Sequence, residues 1–91
     1  MADKAFFAQV RGRVQGVGFR YSAIQEARRL ALAGWVRNAA NGDVEVWAEG
    51  PAENLSLFLD WLHIGPRPAR IDSVEYEDKA LRGYNDFNVD Y

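Results

Sequence analysis

Two different hydrophobic periods follow one another at the start of the chain. Apolar and polar residues alternate first, which predicts a strand over about Ala5 to Arg13. Apolar residues then recur at every third or fourth position, which predicts a helix from about Arg20 to Leu32 with Gly34 as its C-cap. The residues between these two elements therefore form a loop that joins a strand end to a helix N-terminus.

A β-hairpin is predicted next. Trp35 to Asn38 form a short strand, Asn41-Gly42 is a strong turn signal between strands, and Asp43 to Glu49 form the partner strand. The alternation in the second strand predicts that one face of the hairpin is buried. The residues of that face are Val44, Val46 and Ala48.

The second half of the chain repeats the order helix then strand. Pro51 marks the first helical position, an apolar stripe follows, and the helix ends near His63. A strand from about Ile71 to Tyr76 is expected to be kinked around Asp72 and Ser73. Alternating residues from Phe87 to Tyr91 predict a short final strand at a sheet edge.

The predicted order is therefore β-α-β-β-α-β with a short C-terminal strand. In a chain of 91 residues this order predicts an α+β fold of the ferredoxin-like type, a sandwich of two helices on one antiparallel sheet. Residues 1–91 are expected to form a single domain, because a chain of this length carries one modest core.

Three glycines and an arginine give the first loop its chemical character. Gly12, Gly16 and Gly18 allow tight turns that leave backbone N–H groups uncovered, and Arg20 adds a permanently charged fork of donors. Exposed amides at a helix N-terminus are the usual physical basis of phosphate binding. The alternative on the glycines alone is a plain glycine-rich turn.

Simple geometry brings Asn38 back to this loop. The predicted helix climbs roughly 20 Å, and an antiparallel strand from Trp35 returns about 13–17 Å by Asn38. The amide of Asn38 can donate and accept hydrogen bonds at once, which suits the orientation of a water molecule beside an electrophilic phosphorus. The alternative is that Asn38 only belongs to the hairpin turn.

Composition excludes several kinds of chemistry. The chain has no cysteine and one histidine, His63, so thiolate catalysis is excluded and neither a metal nor a cofactor is expected. No Gly-Lys-Ser/Thr sequence is present for a nucleotide-binding loop. Because no signal-peptide or membrane-spanning pattern is recognised, the protein is expected to be cytoplasmic and not to bind membranes.

Charge is distributed unevenly along the chain. Residues 1–41 contain seven Lys or Arg and two acids, whereas residues 42–91 contain four Lys or Arg and eleven acids, within a net charge of −2. A local positive potential attracts a small anion, while the acidic remainder repels a long nucleic-acid backbone. The expected partner is therefore a small molecule and not a nucleic acid.

Two long segments of the sequence resemble the signature motifs of the acylphosphatases. The first is Gly12-Arg13-Val14-Gln15-Gly16-Val17-Gly18-Phe19-Arg20, and the second is Gly34-Trp35-Val36-Arg37-Asn38-x-x-x-Gly42-x-Val44 with Gly50 beyond it. Gly65-Pro66 before a strand also resembles the later pattern of the family.

The resemblance implies a ferredoxin-like fold and the hydrolysis of acyl phosphates to a carboxylate and inorganic phosphate. It also implies that the phosphate is held by Arg20 and by the backbone amides of Gln15, Gly16, Val17, Gly18 and Phe19. The same resemblance assigns to Asn38 the positioning of the attacking water. A monomeric, metal-independent enzyme that is inhibited by its product phosphate is expected.

Two other classes of function compete with this interpretation. A non-catalytic module that senses phosphate or another anion would keep the loop and Arg20 but would not need Asn38. An RNA-binding domain of the same fold is disfavoured, because the strand Asp43 to Glu49 lacks the basic and paired-aromatic pattern of RNA-recognition modules.

Overall fold

The computed structural model of the protein describes residues 3–91 and contains five strands and two helices in this range. Their order along the chain is β1 (Asp3–Arg13), α1 (Phe19–Arg29), β2 (Ala33–Asn38), β3 (Val44–Pro51), α2 (Ala52–Leu62), β4 (Arg70–Lys79) and β5 (Phe87–Val89). The predicted order of elements is thus confirmed, and their bounds differ by a few residues.

The strands form one sheet with the order β4-β1-β3-β2-β5. All neighbours are antiparallel except β2 and β5, which pair in parallel from Gly34↔Phe87 to Val36↔Val89. The ferredoxin-like fold is confirmed and β5 is an edge strand, but the sheet is mixed and not purely antiparallel. The connection from β4 carries the chain to the far edge of the sheet, where β5 then runs alongside β2.

Both helices cover the same face of the sheet. Helix α1 contacts β2 and β5, α2 contacts β1 and β3, and the helices touch each other. Apolar side chains between the two layers form the core, and the largest that are fully buried include Phe19, Phe58, Phe87 and Leu62. Aromatic contacts continue through this layer: the Phe58 ring meets Phe87 edge to face at 5.8 Å and stacks on Trp61 at 6.1 Å, measured between centroids.

Helix α1 ends three residues before the predicted end. Leu30 is its C-cap and Ala31 adopts a left-handed conformation with φ of 55°. The N–H of Leu32 donates to the carbonyl of Ala27 and that of Ala31 to Arg28, which is the hydrogen-bond pattern of a Schellman motif. The prediction that Gly34 caps this helix is therefore wrong.

Gly34 has a different role, because it lies in β2 opposite Ala48. A Cβ atom at Gly34 would lie 1.9 Å from the carbonyl oxygen of Trp47, so only glycine permits this approach of the strands. Pro51 also differs from its predicted position by one residue, since it is the N-cap of α2 and the last residue of β3.

The kink predicted in β4 is present as a bulge. Arg11 pairs with Ser73 and Gly12 pairs with Ile71, so Asp72 is the extra residue. A Cβ atom at Gly12 would lie 2.0 Å from the carbonyl oxygen of Arg70. Gly12 therefore belongs to the strand pairing. Its place among the three glycines had suggested instead that it belongs to the turn of the loop.

The face of the hairpin away from the helices is also buried in part, whereas the prediction was one buried face. Trp47 and Glu49 lie on the face away from the helices, yet they are only 3% and 5% exposed. The connection between β4 and β5 covers them, because the guanidinium carbon of Arg82 lies 3.8 Å from the centre of the Trp47 ring.

Glu49 holds this connection in place through its carboxylate. The backbone N–H groups of Arg82, Gly83 and Tyr84 donate to it at 2.6, 3.0 and 3.3 Å, and the indole of Trp47 donates at 2.9 Å. Burial alone raises the pKa of Glu49, but these four donors outweigh burial and lower the pKa below its ordinary value of 4.5. The ionised form is therefore the one that the fold stabilises.

This pKa shift predicts how stability depends on pH. Because the folded pKa lies below the unfolded one, the stabilisation is fully present above about pH 4.5 and is lost as the pH falls through the folded pKa. Glu49→Gln should lower the free energy of unfolding at pH 7 and flatten its fall between about pH 5 and 3, measured by urea denaturation. Glu53→Gln, on the exposed start of α2, is the matched control. An unchanged pH profile in Glu49→Gln would contradict this role.

Candidate active site

The loop between β1 and α1 presents unpaired backbone donors. Gly16 and Gly18 have φ of 74° and 78°, while Val17 between them is not in the left-handed region. Such an alternation points successive N–H groups to one side and forms an anion-binding concavity. Within residues 3–91 the N–H groups of residues 15–19 donate to no protein acceptor, and the ladder of α1 starts from Ser22 to the carbonyl of Gly18.

Two buried side chains hold the ends of this loop. Val14 and Phe19 are 2% and 1% exposed and belong to the core. The ring of Phe19 lies 5.5 Å from that of Trp61 on α2. The start of α1 is therefore fixed against the second helix, and its positive dipole end points at the loop.

Gln15 ties the loop to the hairpin. Its Nε2 donates to the carbonyl oxygens of Ala39 at 2.8 Å and Asp43 at 3.0 Å, one on each side of the β2–β3 turn. Sequence reasoning considered only the backbone amide of Gln15 and missed this side-chain contact. The contact fixes the distance between the loop and Asn38, which directly precedes Ala39.

Asn38, the last residue of β2, reaches the loop as the geometry required. It lines the same cleft as Gly16, Gly18 and Arg20, which has a volume of about 310 Å³. The Oδ1 atom of Asn38 is buried and accepts no hydrogen bond, and among residues 3–91 no other buried side-chain polar atom is left in this state. A buried acceptor without a donor is costly, which indicates that a ligand or water supplies the donor.

Arg20 lies in the first turn of α1 and is half-buried. Its guanidinium forms no ion pair with a carboxylate of residues 3–91, whereas Arg11, Arg37 and Arg70 all do. Its nearest aromatic partner is Tyr91, whose ring centre lies 5.9 Å from the guanidinium carbon. The charge of Arg20 is therefore free to meet an anion in the cleft.

The predicted site residues do not all line the cleft. Gly16, Gly18, Phe19, Arg20 and Asn38 do. The side chain of Gln15 turns to the hairpin, and that of Val17 packs against the core. His63 lies elsewhere, at the end of α2, where its Nδ1–H donates to the carbonyl of Leu59 at 2.9 Å.

Five lining residues were not predicted from the sequence. They are Val14, Tyr21, Ile24, Val89 and Tyr91. Val14 belongs to the loop, Tyr21 and Ile24 come from α1, and the other two are brought to the cleft by the parallel pairing of β5 with β2. A sequence signal existed only for Ile24, as part of the apolar stripe of α1, and it indicated a core position.

The fold and the cleft together define a class of protein: an α+β sandwich with a glycine-containing loop of free backbone amides at a helix N-terminus. A model of the acylphosphatase family matches residues 6–89. The chain belongs to this family. No helix within residues 3–91 is long and apolar enough to cross a bilayer.

Individual relatives agree over nearly the whole chain. An acylphosphatase of Pseudomonas paraeruginosa is 51% identical over 89 residues, which is 98% of both chains. The crystal structure of acylphosphatase from Bacillus subtilis is similar with a TM-score of 0.94 and 37% identity, covering 97% of this chain and 99% of that one. An acylphosphatase structure from Coxiella burnetii is similar with a TM-score of 0.94 and 38% identity, covering 97% of this chain and 93% of that one.

The contact between Gln15 and the hairpin can be tested by mutation. Gln15→Ala removes two hydrogen bonds, each worth about 1 kcal/mol, so the free energy of unfolding should fall by about 1–2 kcal/mol. The loop should also become looser, and inorganic phosphate should bind several-fold more weakly, as measured by calorimetry. Gln25→Ala is the matched control, because the Gln25 amide contacts only the exposed hydroxyl of Tyr21. Equal effects of the two variants would show that Gln15 does not brace the loop.

Proposed function

We propose that this protein hydrolyses acyl phosphates to a carboxylate and inorganic phosphate in the cleft between the loop and the end of β2. Membership of the acylphosphatase family supports the reaction. The observation that carries the assignment to this cleft is the buried, unpartnered Oδ1 of Asn38, which lies in the same cleft as the free loop amides and Arg20.

The amides of residues 15–19 and the guanidinium of Arg20 bind the phosphoryl group in this proposal. Charge in phosphoryl transfer lies on the three equatorial oxygens, and donors fixed before the reaction stabilise it best. A planar guanidinium can address two of these oxygens at once. The N-terminal end of α1 adds a favourable potential, and the first turn of α1 contains no acidic residue that would oppose it.

Asn38 orients the attacking water. Its Oδ1 accepts a hydrogen bond from the water, which leaves a lone pair of the water oxygen free to face the phosphorus. The new oxygen–phosphorus bond forms as the bond from phosphorus to the acyl oxygen breaks, and the electron pair leaves with the carboxylate. Because the parent carboxylic acid has a pKa of about 4, the leaving group needs no general acid. The water proton passes to an oxygen of the phosphate.

The product bears the same charged oxygens as the substrate. Inorganic phosphate should therefore bind the same amides and inhibit competitively. The metal-independent reaction, the monomeric state, the single domain and the cytoplasmic location remain predictions from the sequence. Hydrolysis of acetyl phosphate in chelator-containing buffer tests both the activity and its independence of metal. Phosphate binding without turnover would favour a non-catalytic anion sensor.

The role of Arg20 is tested by Arg20→Lys, which keeps the charge and loses the planar fork. A lost charge-assisted hydrogen bond is worth about 1.5–3 kcal/mol, so phosphate should bind roughly 10- to 100-fold more weakly, measured as its inhibition constant. Arg67→Lys is the matched control, because Arg67 is an exposed arginine that does not line the cleft. Phosphate inhibition at the original strength in Arg20→Lys would refute the assignment.

Asn38→Ala separates water orientation from phosphate binding. Loss of the oriented water should lower kcat roughly 100-fold, while the inhibition constant of phosphate changes little. Asn85→Ala, at an exposed position between β4 and β5, should keep the original kcat. If Asn38→Ala hydrolyses acetyl phosphate at the original rate, another group orients the water.

A further inference from the structure

The face of the sheet away from the helices bears a row of three aromatic side chains. Trp47 on β3 pairs with Phe7 on β1 and with Trp35 on β2, so the three side chains lie side by side across the sheet. The rings of Phe7 and Trp35 approach each other to 6.2 Å between centroids. Both of these residues are only half-buried. Aromatic surface on this face therefore remains in contact with water.

A cavity lies over this row and is separate from the cleft at the loop. We call it the sheet-face cavity; Phe7, Trp35 and Trp47 line it, and it shares no lining residue with the cleft. Its volume of about 310 Å³ is at the lower end of the range of small-molecule sites. The Nε1–H of Trp35 donates to the hydroxyl of Tyr84 at 3.1 Å, and that of Trp47 to Glu49. The rings therefore offer a ligand their apolar surface and no unpaired donor.

Three cationic side chains also line the sheet-face cavity, and two of them are neutralised by ion pairs. Arg37 Nε lies 2.7 Å from Oε1 of Glu45, and Lys79 Nζ lies 2.8 Å from Oε1 of Glu77. The guanidinium of Arg82 forms no ion pair with a carboxylate of residues 3–91. Arg82 is thus the charge that an anion can reach without breaking an ion pair, and one free cation is complementary to one negative charge.

Arg82 is held in position before any ligand binds. Its backbone N–H donates to the carboxylate of Glu49 at 2.6 Å, and its guanidinium carbon lies 3.8 Å from the centre of the Trp47 ring. A guanidinium that lies on the face of a ring keeps the N–H groups at its edge free, and these groups can donate to an anionic oxygen. A donor fixed in this way lowers the cost of ordering the site when a ligand binds.

We propose that the sheet-face cavity is a second binding site, which takes a small planar aromatic molecule that carries one anionic group. The ring of the ligand packs against Phe7 and Trp35, and its anionic oxygens accept hydrogen bonds from Arg82. Aromatic contact supplies affinity for a flat ring, and the unpaired guanidinium selects the molecule that is also an anion. The site lies on the opposite face of the sheet from the helices and does not depend on the proposed hydrolysis.

Indole-3-acetate, with a planar ring and one carboxylate, is the probe that tests the proposal. Indole-3-acetamide keeps the ring without the charge, and cyclohexylacetate keeps the charge without the aromatic ring. Each is titrated into the isotope-labelled protein, and the indole N–H signals of the tryptophans are followed by NMR. Trp35 and Trp47 line the cavity, whereas Trp61 on α2 does not and serves as the internal reference.

Saturable shifts should appear at Trp35 and Trp47 and not at Trp61. The charge-assisted hydrogen bonds to Arg82 should make indole-3-acetate bind about fivefold more tightly than the amide. The aromatic contact should favour it about threefold over cyclohexylacetate.

A variant of Arg82 locates the anion preference. Arg82→Gln removes the unpaired charge, so the affinity for indole-3-acetate should fall about fivefold while that for indole-3-acetamide stays the same. Arg67→Gln is the matched control, because Arg67 is an exposed arginine that does not line the sheet-face cavity. Its affinity for both compounds should equal that of the original protein. An unshifted Trp61 signal verifies that each variant keeps its core.

Several results would overturn this site. They are the absence of saturable shifts at Trp35 and Trp47, equal affinities for the acetate and the amide, and an acetate affinity that Arg82→Gln leaves unchanged. Shifts confined to the backbone amides of residues 15–19 would place the probe in the cleft at the loop and would also overturn it. None of these results concerns the hydrolysis of acyl phosphates, so the second site and the proposed function fail independently.

Discussion

The central constraint on this structure is that several backbone donors must stay uncovered and still keep fixed positions. Free N–H groups normally find partners when a chain folds, and the loop of residues 15–19 prevents this by its left-handed glycines Gly16 and Gly18. The loop is then held by what surrounds it. Val14 and Phe19 anchor its ends in the core, and the Gln15 side chain joins it to the hairpin.

The same attachment determines where Asn38 lies. Gln15 bonds to the carbonyls on both sides of the β2–β3 turn, so the end of β2 and the loop form one unit. An unsatisfied acceptor at Asn38 is tolerated because it lies at a cleft and not in the closed core. The unpaired amides of the loop and the unpaired Oδ1 of Asn38 each lower stability locally. Both face the same cleft.

No Asp or Glu side chain of residues 3–91 lines the cleft. The buried carboxylate of Glu49 lies on the opposite face of the sheet, where it accepts four hydrogen bonds and secures the connection to β5. The segment that follows this connection contains Val89 and Tyr91, which line the cleft. The Glu49 carboxylate thus helps to place two lining residues of the cleft from the opposite face of the sheet.

The sequence by itself determined the element order, the ferredoxin-like fold and the approach of Asn38 to the loop, because these follow from local periodicity, turn chemistry and rise per residue. The family was indicated by the resemblance of two sequence segments to its motifs. It did not determine the left-handed Ala31, the structural roles of Gly12 and Gly34, the side-chain contact of Gln15 or the residues that line the cleft from β5 and the C-terminus. The Ala31 conformation belongs to a local helix end, whereas each of the others depends on atoms that are distant in the sequence: Gly34 on the carbonyl of Trp47, Gln15 on the hairpin turn, and Tyr91 on the parallel pairing of β5 with β2. Such contacts arise only when the strands are aligned in one sheet, so tertiary structure alone decided them.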